Sequence, residues 1–306
     1  MTLHKPKNRD IIKEEKIILT TLEEKKQYVQ KFNVFDDSFF EMVAKDKDAV
    51  EDILRIILHD PELVVTKLIP QNSIKNLYGR SVRLDALCVT GDGRSINVEV
   101  QKADNENHAK RVRYNASCIT ANVSEPGEDY ENLKDVYIIY ISKFDVFQRR
   151  RRLYYVEHSF YDKGEHISVH DGEHLIYANA SNEVDAEAED EDVAELMEFF
   201  KNSQGQNDKF HRLTSRVHDL KNSESEVNTM CKLVEDFAKE YAKEYAKEYA
   251  KEYAKEYANE QTKILIMDLV RTGALSAEIG AEKLGLSVKD FRNLLNETGQ
   301  KIANPA

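Results

Sequence analysis

Residues 82–101 read VRLDALCVTGDGRSINVEVQ, and this stretch decides the fold. Two β-rich runs, 82–90 and 95–101, flank Gly91-Asp92-Gly93, a turn signal of the kind that joins antiparallel strands. Alternation puts Val82, Leu84, Ala86 and Cys88 on one face of the first strand, and Arg83 and Asp85 on the other. In the second strand Ile96, Val98 and Val100 share a face, and Asn97, Glu99 and Gln101 share the opposite one. A hairpin centred on Asp92 sets Asp85 opposite Glu99 and Arg83 opposite Gln101; a bulge in the loop would move that register by one.

Carboxylates directly opposed on a ladder have Cβ atoms roughly 4.5–5.5 Å apart and repel each other. A shared proton, a nearby cation such as Arg83, or a bound metal relieves the repulsion. Spacing alone leaves a solvated polar face and a metal site both open. On the second reading, Asp85, Glu99 and the Val100 carbonyl, completed by water, form an all-oxygen set suited to octahedral Mg²⁺, with Mn²⁺ as a substitute. Such an ion lowers the pKa of a bound water and stabilises charge on a scissile phosphate. Gln101, on the Glu99 face, is placed to orient the attacking water, whereas Lys102 is expected on the other side of the strand.

Outward from the hairpin, residues 36–58 carry Phe39, Phe40, Val43, Val50, Ile53, Leu54, Ile57 and Leu58 at helical spacing. Asp36 or Asp37 would cap this helix, and Asp60-Pro61 would end it. Residues 63–69 read as a third strand. A second amphipathic helix fits 107–123, with Ala109, Val112, Ala116, Ile119 and Val123 on one face. Lys110, Arg111, Arg113 and Tyr114 lie off that stripe, either as a solvated face or as phosphate contacts beside a metal site. VYIIYI, 136–141, is a strand buried on both faces, and a further hairpin is expected around Asp171-Gly172. The expected class is α/β, ordered helix, three strands, helix, strand. A polar leader (1–30) precedes the core (31–182).

The 306-residue chain is 33% charged with net charge −12, which argues at first against a nucleic-acid partner. Nine acids and no base fall within 183–198, however, and setting those nine aside leaves −3 for the rest. The acidity is local, so DNA binding stands. Residues 183–223 read as an acidic linker with a short helix. Residues 224–271 read as one long charged helix, roughly 70 Å at about 1.5 Å per residue, carrying five Lys-Glu-Tyr-Ala repeats over 239–258. A four-residue period winds about 40° per repeat, which disfavours a straight two-stranded coiled-coil seam and favours a spacer, with homo-oligomerisation through the tyrosines as the alternative. In the tail, 272–306, Gly273, Gly280 and Gly285 read as punctuation, and IGAEKLGLSVKDFRNLL resembles a helix-turn-helix. Cys88, Cys118 and Cys231 are too far apart for a CxxC pair, the first thirty residues lack a signal-peptide core, and no apolar run reaches membrane-spanning length. The expectation is a cytoplasmic protein in a reducing compartment. His158, His166, His170 and His174 accompany strands without a thiolate or a helical HxxxH, so a metal cluster is not expected there. The run Arg149 to Arg152 is either a solvated loop or a DNA contact.

Five segments carry a family resemblance: FDDSFF, LRIILHDPEL, IPQNSIKNLYGRSVRLDALC, NVEVQKADNENHAKRVRYNAS and DVYIIYISKFDVF, all within 35–147. They resemble the PD-(D/E)XK nuclease family transposases of the recombination-promoting nuclease group. The resemblance implies a restriction-endonuclease-like core and Mg²⁺-dependent cleavage of DNA phosphodiesters, linked to recombination or mobile elements. It carries the motif Asp to Asp85, the motif Glu to Glu99 and the third position to Gln101. A first-helix acid in relatives often joins the site, and Asp36, Asp37 and Glu41 are the candidates. The chain departs from the family name by having ExQ for ExK, which brings in an alternative: a degenerate nuclease-like scaffold that binds DNA or protein without cutting.

Overall fold

The first strand of the hairpin, β2 (Ser81–Thr90), pairs antiparallel with β3 (Ser95–Gln101), from Ala86 opposite Val98 to Val89 opposite Ser95. That is the register a turn centred on Asp92 requires. Gly93, at φ 91°, takes the left-handed conformation, and its N–H donates to the Thr90 carbonyl to close the turn. These coordinates, a computed structural model, describe residues 21–75, 81–105, 107–124, 127, 129–185, 187 and 190–303. The side chains of Val82 and Arg83 lie outside the described set.

β1 (Val65–Lys75) pairs antiparallel with β2 on the outer side. β4 (Val136–Ser142) lies parallel to β3, reached through the helix α4 (His108–Val123). Beyond it come β8 (Glu173–Asn179), parallel to β4, and β5 (Leu153–Val156), antiparallel to β8. The sheet order is β1-β2-β3-β4-β8-β5. The apolar run of β4 is buried almost throughout, as a central parallel strand requires. Val112, Ala116 and Ile119 of α4 pack with Leu87, Ile138, Tyr140 and Tyr177. Ala109, expected on that stripe, is exposed instead.

A larger core joins Ala86, Cys88, Ile96, Val98 and Val100 to residues of six helices. Four of them are α2 (Asp37–Val43), α3 (Lys47–Ile57), α5 (Glu191–Asn202) and α6 (His211–Asn222). The single helix expected over 36–58 is two, because the Asp46 carboxylate accepts from the Asp48 and Ala49 N–H groups and starts a new helix. The stretch 183–223, expected as a linker, supplies Val193, Leu196, Phe200, Leu213 and Leu220 to this core. Its acids sit on the solvent side and around the α5 N-terminus, where negative charge is favourable, with Asp190 as the N-cap. Of the expected leader, the described part includes α1 (Leu22–Val29), opened by a Thr21–Glu24 capping box and burying Val29.

The hairpin expected at Asp171-Gly172 forms earlier, between β6 (Ser159–Asp162) and β7 (Glu165–Ser168). Lys163 and Gly164, both at positive φ, make its two-residue turn. β8 pairs with β4 and β5, not with β7. Gly172 is needed for close approach: a Cβ there would lie 2.7 Å from Asp135 Oδ1.

The chain divides into two compact units, Met1–Glu235 and Asp236–Ala306. The helix α7 spans Glu224–Arg271; in the first unit its Val227, Met230 and Cys231 join the large core. In the second unit Ile266 and Met267 pack with α8 (Ala277–Lys283) and α9 (Val288–Ala303) around Phe291. Gly280, expected as punctuation, lies inside α8, where a Cβ would come within 2.8 Å of the Phe291 ring. The three cysteines are free and buried, and no helix among the described residues is long and apolar enough to cross a membrane.

Candidate functional site

The two carboxylates meet where β2 and β3 part. Face alternation in β2 breaks at Asp85: Ala86 and Cys88 belong to the larger core, whereas Leu84 joins the α4-side cluster with Leu87. The paired ladder ends at Ala86, and the Asp85 Oδ2 accepts the Val100 N–H at 3.0 Å. Asp85 is thus anchored on the strand that carries Glu99. Glu99 is 1% exposed; its Oε1 accepts from Asn97 Nδ2 at 2.8 Å and its Oε2 from Arg111 Nη2 at 3.2 Å.

Burial first, and then the charge of Asp85, push the Glu99 carboxyl well above the usual carboxylate range. Asn97 and Arg111 pull in the opposite direction and do not win. A carboxyl disfavoured as an anion by burial, and then by a second carboxylate, has a reason to take a cation in place of its proton. Asn97 Oδ1, also buried, has no hydrogen-bond partner among the described residues. No three His, Cys, Asp or Glu side chains gather as a metal cluster among the described residues. Two carboxylates supplemented by backbone oxygen and water are nonetheless the kind of set Mg²⁺ uses, so the residues fit a hard divalent ion.

A cleft of about 370 Å³ opens onto Asp85, lined by Asp37, Asp85, Val100, Gln101, Asn105 and Arg111, with Glu99 behind Arg111. A small adjoining recess adds Phe40 and Glu41. The three first-helix acids therefore separate. Asp37 and Glu41, four residues apart on one face of α2, border Asp85, whereas Asp36 is paired with Lys102 Nζ at 2.5 Å. Glu41 also pairs with Lys45 at 3.2 Å.

Of the four α4 residues expected at nucleic acid, Arg111 lines the cleft. Lys110 and Arg113 are exposed, and Tyr114 packs against the α4-side cluster. In the arginine run, Arg152 is buried and donates to the Asn179 and Ser181 carbonyls, and Arg150 pairs with Asp185 at 2.9 Å. His158 pairs with Asp171 at 2.7 Å on the surface.

Sequence reading missed two supports of the site. Asn97 braces Glu99, and its place on the same strand face was the available signal. His108 hydrogen-bonds through its two ring nitrogens with Tyr140 Oη at 2.7 Å and Asp104 Oδ1 at 2.9 Å, fixing the start of α4 against β4. Nothing in the sequence pattern singled it out.

A mixed sheet flanked by helices, with an Asp and a Glu converging beside a cleft at the end of two central strands, defines a nuclease-type α/β core. The family model for PD-(D/E)XK nuclease family transposases matches residues 34–264 of the 306, and the chain belongs to that family. No curated protein and no solved structure matches the chain.

Proposed function

We propose that the protein is a divalent-metal-dependent DNA endonuclease, hydrolysing phosphodiester bonds in a setting of recombination or mobile elements. One observation carries this reading: a cleft lined by Asp85 and Arg111, with the buried Glu99 behind it, bonded to Arg111 and disfavoured as an anion by burial and by Asp85. Asp85, Glu99 and the Val100 carbonyl are the residues that would hold Mg²⁺, with Asp37 as the added acid from α2. When bound, the ion supplies an activated water and offsets charge on the phosphate. Asp85 and Glu99 hold the charge that fixes it. Asn97 and the Val100 N–H keep the two carboxylates from turning away. Lys110 and Arg113, exposed on α4, would hold the backbone of the DNA.

The deciding experiment incubates the purified full-length protein with supercoiled plasmid and Mg²⁺ or Mn²⁺, with EDTA as control. Nicked or linear plasmid that depends on the metal is the expected result. A protein that retards DNA on a gel yet leaves it intact at any metal concentration would instead be a nuclease-derived scaffold.

A further inference from the structure

Gln101 stands where the family name places a lysine, and its amide is engaged at both ends. Its Oε1 accepts from Arg111 Nη1 at 3.1 Å, and its Nε2 donates to the Ala103 carbonyl at 3.2 Å. The amide group that sequence reading aimed at a water holds a guanidinium instead. The same guanidinium reaches Glu99 Oε2 through its other amino group and lines the cleft with Asp37 and Asp85. Lys102, the neighbouring cation on the strand, is about half exposed and tied to Asp36.

We propose that Arg111 is the cationic residue of this site, in the role that ExK gives to lysine, and that Gln101 is its positioning residue. The proposal rests on the nuclease reading above. An arginine is charged at every working pH and carries its N–H groups in a planar fork. It can bridge Glu99 and Gln101 and still present charge to a phosphate oxygen in the cleft. In hydrolysis the water oxygen bonds to phosphorus and the bond from phosphorus to the departing sugar oxygen breaks. The proton shed by the water goes to solvent, and the departing oxygen takes one up. Arg111 acts on the negative charge that builds on the non-bridging oxygens. Gln101, neutral and with a carbonyl turned to the guanidinium, suits a site whose cation comes from α4. A lysine there would repel Arg111, so restoring the family's residue would damage this site.

The test uses the full chain in four forms beside wild type: Arg111→Gln, Gln101→Lys, the two combined, and Lys102→Gln. Two readouts are taken, plasmid cleavage in Mn²⁺ and Mn²⁺ affinity by calorimetry without DNA. Arg111→Gln is expected to slow cleavage on the order of 100-fold, the cost of losing one donor to developing charge, with Mn²⁺ affinity changed less than about tenfold. Gln101→Lys is expected to weaken both. The combined variant, with one cation again, is expected to recover at least about tenfold in cleavage over either single change and to regain Mn²⁺ affinity, the mark of coupled neighbours. Lys102→Gln should leave cleavage within about threefold, as loss of an exposed ion pair predicts. Three results would each overturn the proposal: no recovery in the combined variant, Mn²⁺ affinity falling as far as cleavage in Arg111→Gln, or Lys102→Gln proving the inactive form. If wild type binds Mn²⁺ and leaves plasmid intact, the nuclease reading fails. The Mn²⁺ affinities then decide alone, with compensation supporting the Arg111–Gln101 pairing and simple additivity removing it. A wild type that neither binds Mn²⁺ nor cuts sinks both.

Discussion

Two groups of buried acids lie in the same unit, and they are treated in opposite ways. Glu51 and Asp52 of α3 are 3% and 4% exposed. Arg212 of α6 bonds both, Arg55 adds to Glu51, and the Val65, Arg212 and Leu213 N–H groups complete them. Burial pushes Glu51 up, but the Val65 N–H, Arg212 and Arg55 outweigh it and hold the carboxyl below its ordinary range. Glu99 is as little exposed but sits deeper in the protein and is left on the other side of the balance, with burial first and then a second carboxylate against it and one partly exposed arginine for it. Matched acids fasten α6 to α3. Under-matched acids leave free energy available to a ligand, which is why strongly perturbed groups gather at functional sites.

The hardest way to break this contrast is to remove the under-matched acids. Asp85→Ala and Glu99→Ala are each expected to lower plasmid cleavage by at least about 10³-fold, since the metal loses a ligand. The metal-free Glu99→Gln protein is expected to melt no lower than wild type, because glutamine fixes the neutral form that the metal-free site already favours. Cleavage at the wild-type rate by both alanine variants would show that the pair is not the site.

The matched acids should respond in reverse. Asp52→Ala leaves Arg212 with Glu51 but without its closest carboxylate, and strips two backbone N–H groups of their acceptor. Breaking a buried pair in this way costs about 3 kcal/mol, at the low end of the usual range because Arg212 is 24% exposed. Urea denaturation measures the loss, and cleavage per folded molecule should be unchanged. A stability loss below about 1 kcal/mol, the value of a surface pair, would place the cluster with ordinary surface ion pairs.

The hairpin register was legible because Gly91-Asp92-Gly93 fixes the turn and a strand has a strict period. What alternation could not give was the break at Asp85, since a regular pleat has no place for it. The helix break at Asp46 was hidden in a periodic run, where the capping side chain looks like any polar residue. A short helix was expected in 183–223, but its place in the core was not: nine acids over 183–198 surround the apolar stripe of α5. Asn97 could have been found from its strand face. The Arg111–Gln101 contact could not, because it depends on how α4 is set against β3, and His108 on Tyr140 governs that packing.

Proton linkage sharpens the contrast further. The folded Glu99 carboxyl binds its proton more tightly than an unfolded glutamate does. The stability this gives the metal-free protein is full below the ordinary glutamate pKa of about 4.3, and is lost as pH rises toward the raised folded value. A cation must displace that proton, so Mn²⁺ affinity is expected to rise with pH across the same window, by at most about tenfold per unit. In Glu99→Gln the slope should flatten. Glu51, held below its ordinary range, gives the opposite trend: its contribution is present above the ordinary glutamate pKa and fades as pH falls below it. Calorimetric titrations from pH 5.5 to 8 would measure the slope, and equal slopes in wild type and Glu99→Gln would mean that Glu99 is not the displaced proton's carrier.

The smallest effect is expected from the repeats. Lys, Glu and Ala favour helix, and the Glu of each of the first four repeats is followed three residues on by a Lys, as in Glu240 and Lys243, so the sequence of 239–258 itself favours the helix α7. The first unit ends at Glu235, ahead of the repeats, and the apolar residues of α7 that serve the second unit begin at Ile264, after them. Among the described residues, 239–258 contribute no buried side chain to either core, and on deletion cleavage is expected to stay within about twofold, as for changes distant from a site. Tyr253 and Tyr257 are more than half exposed, and exposed aromatics of this kind are the groups that self-association would use. Light scattering on the full-length and deleted proteins separates the two roles. Equal oligomeric states support a spacer that tolerates changes of length, whereas a dimer present in the first and lost in the second would make the repeats an assembly helix.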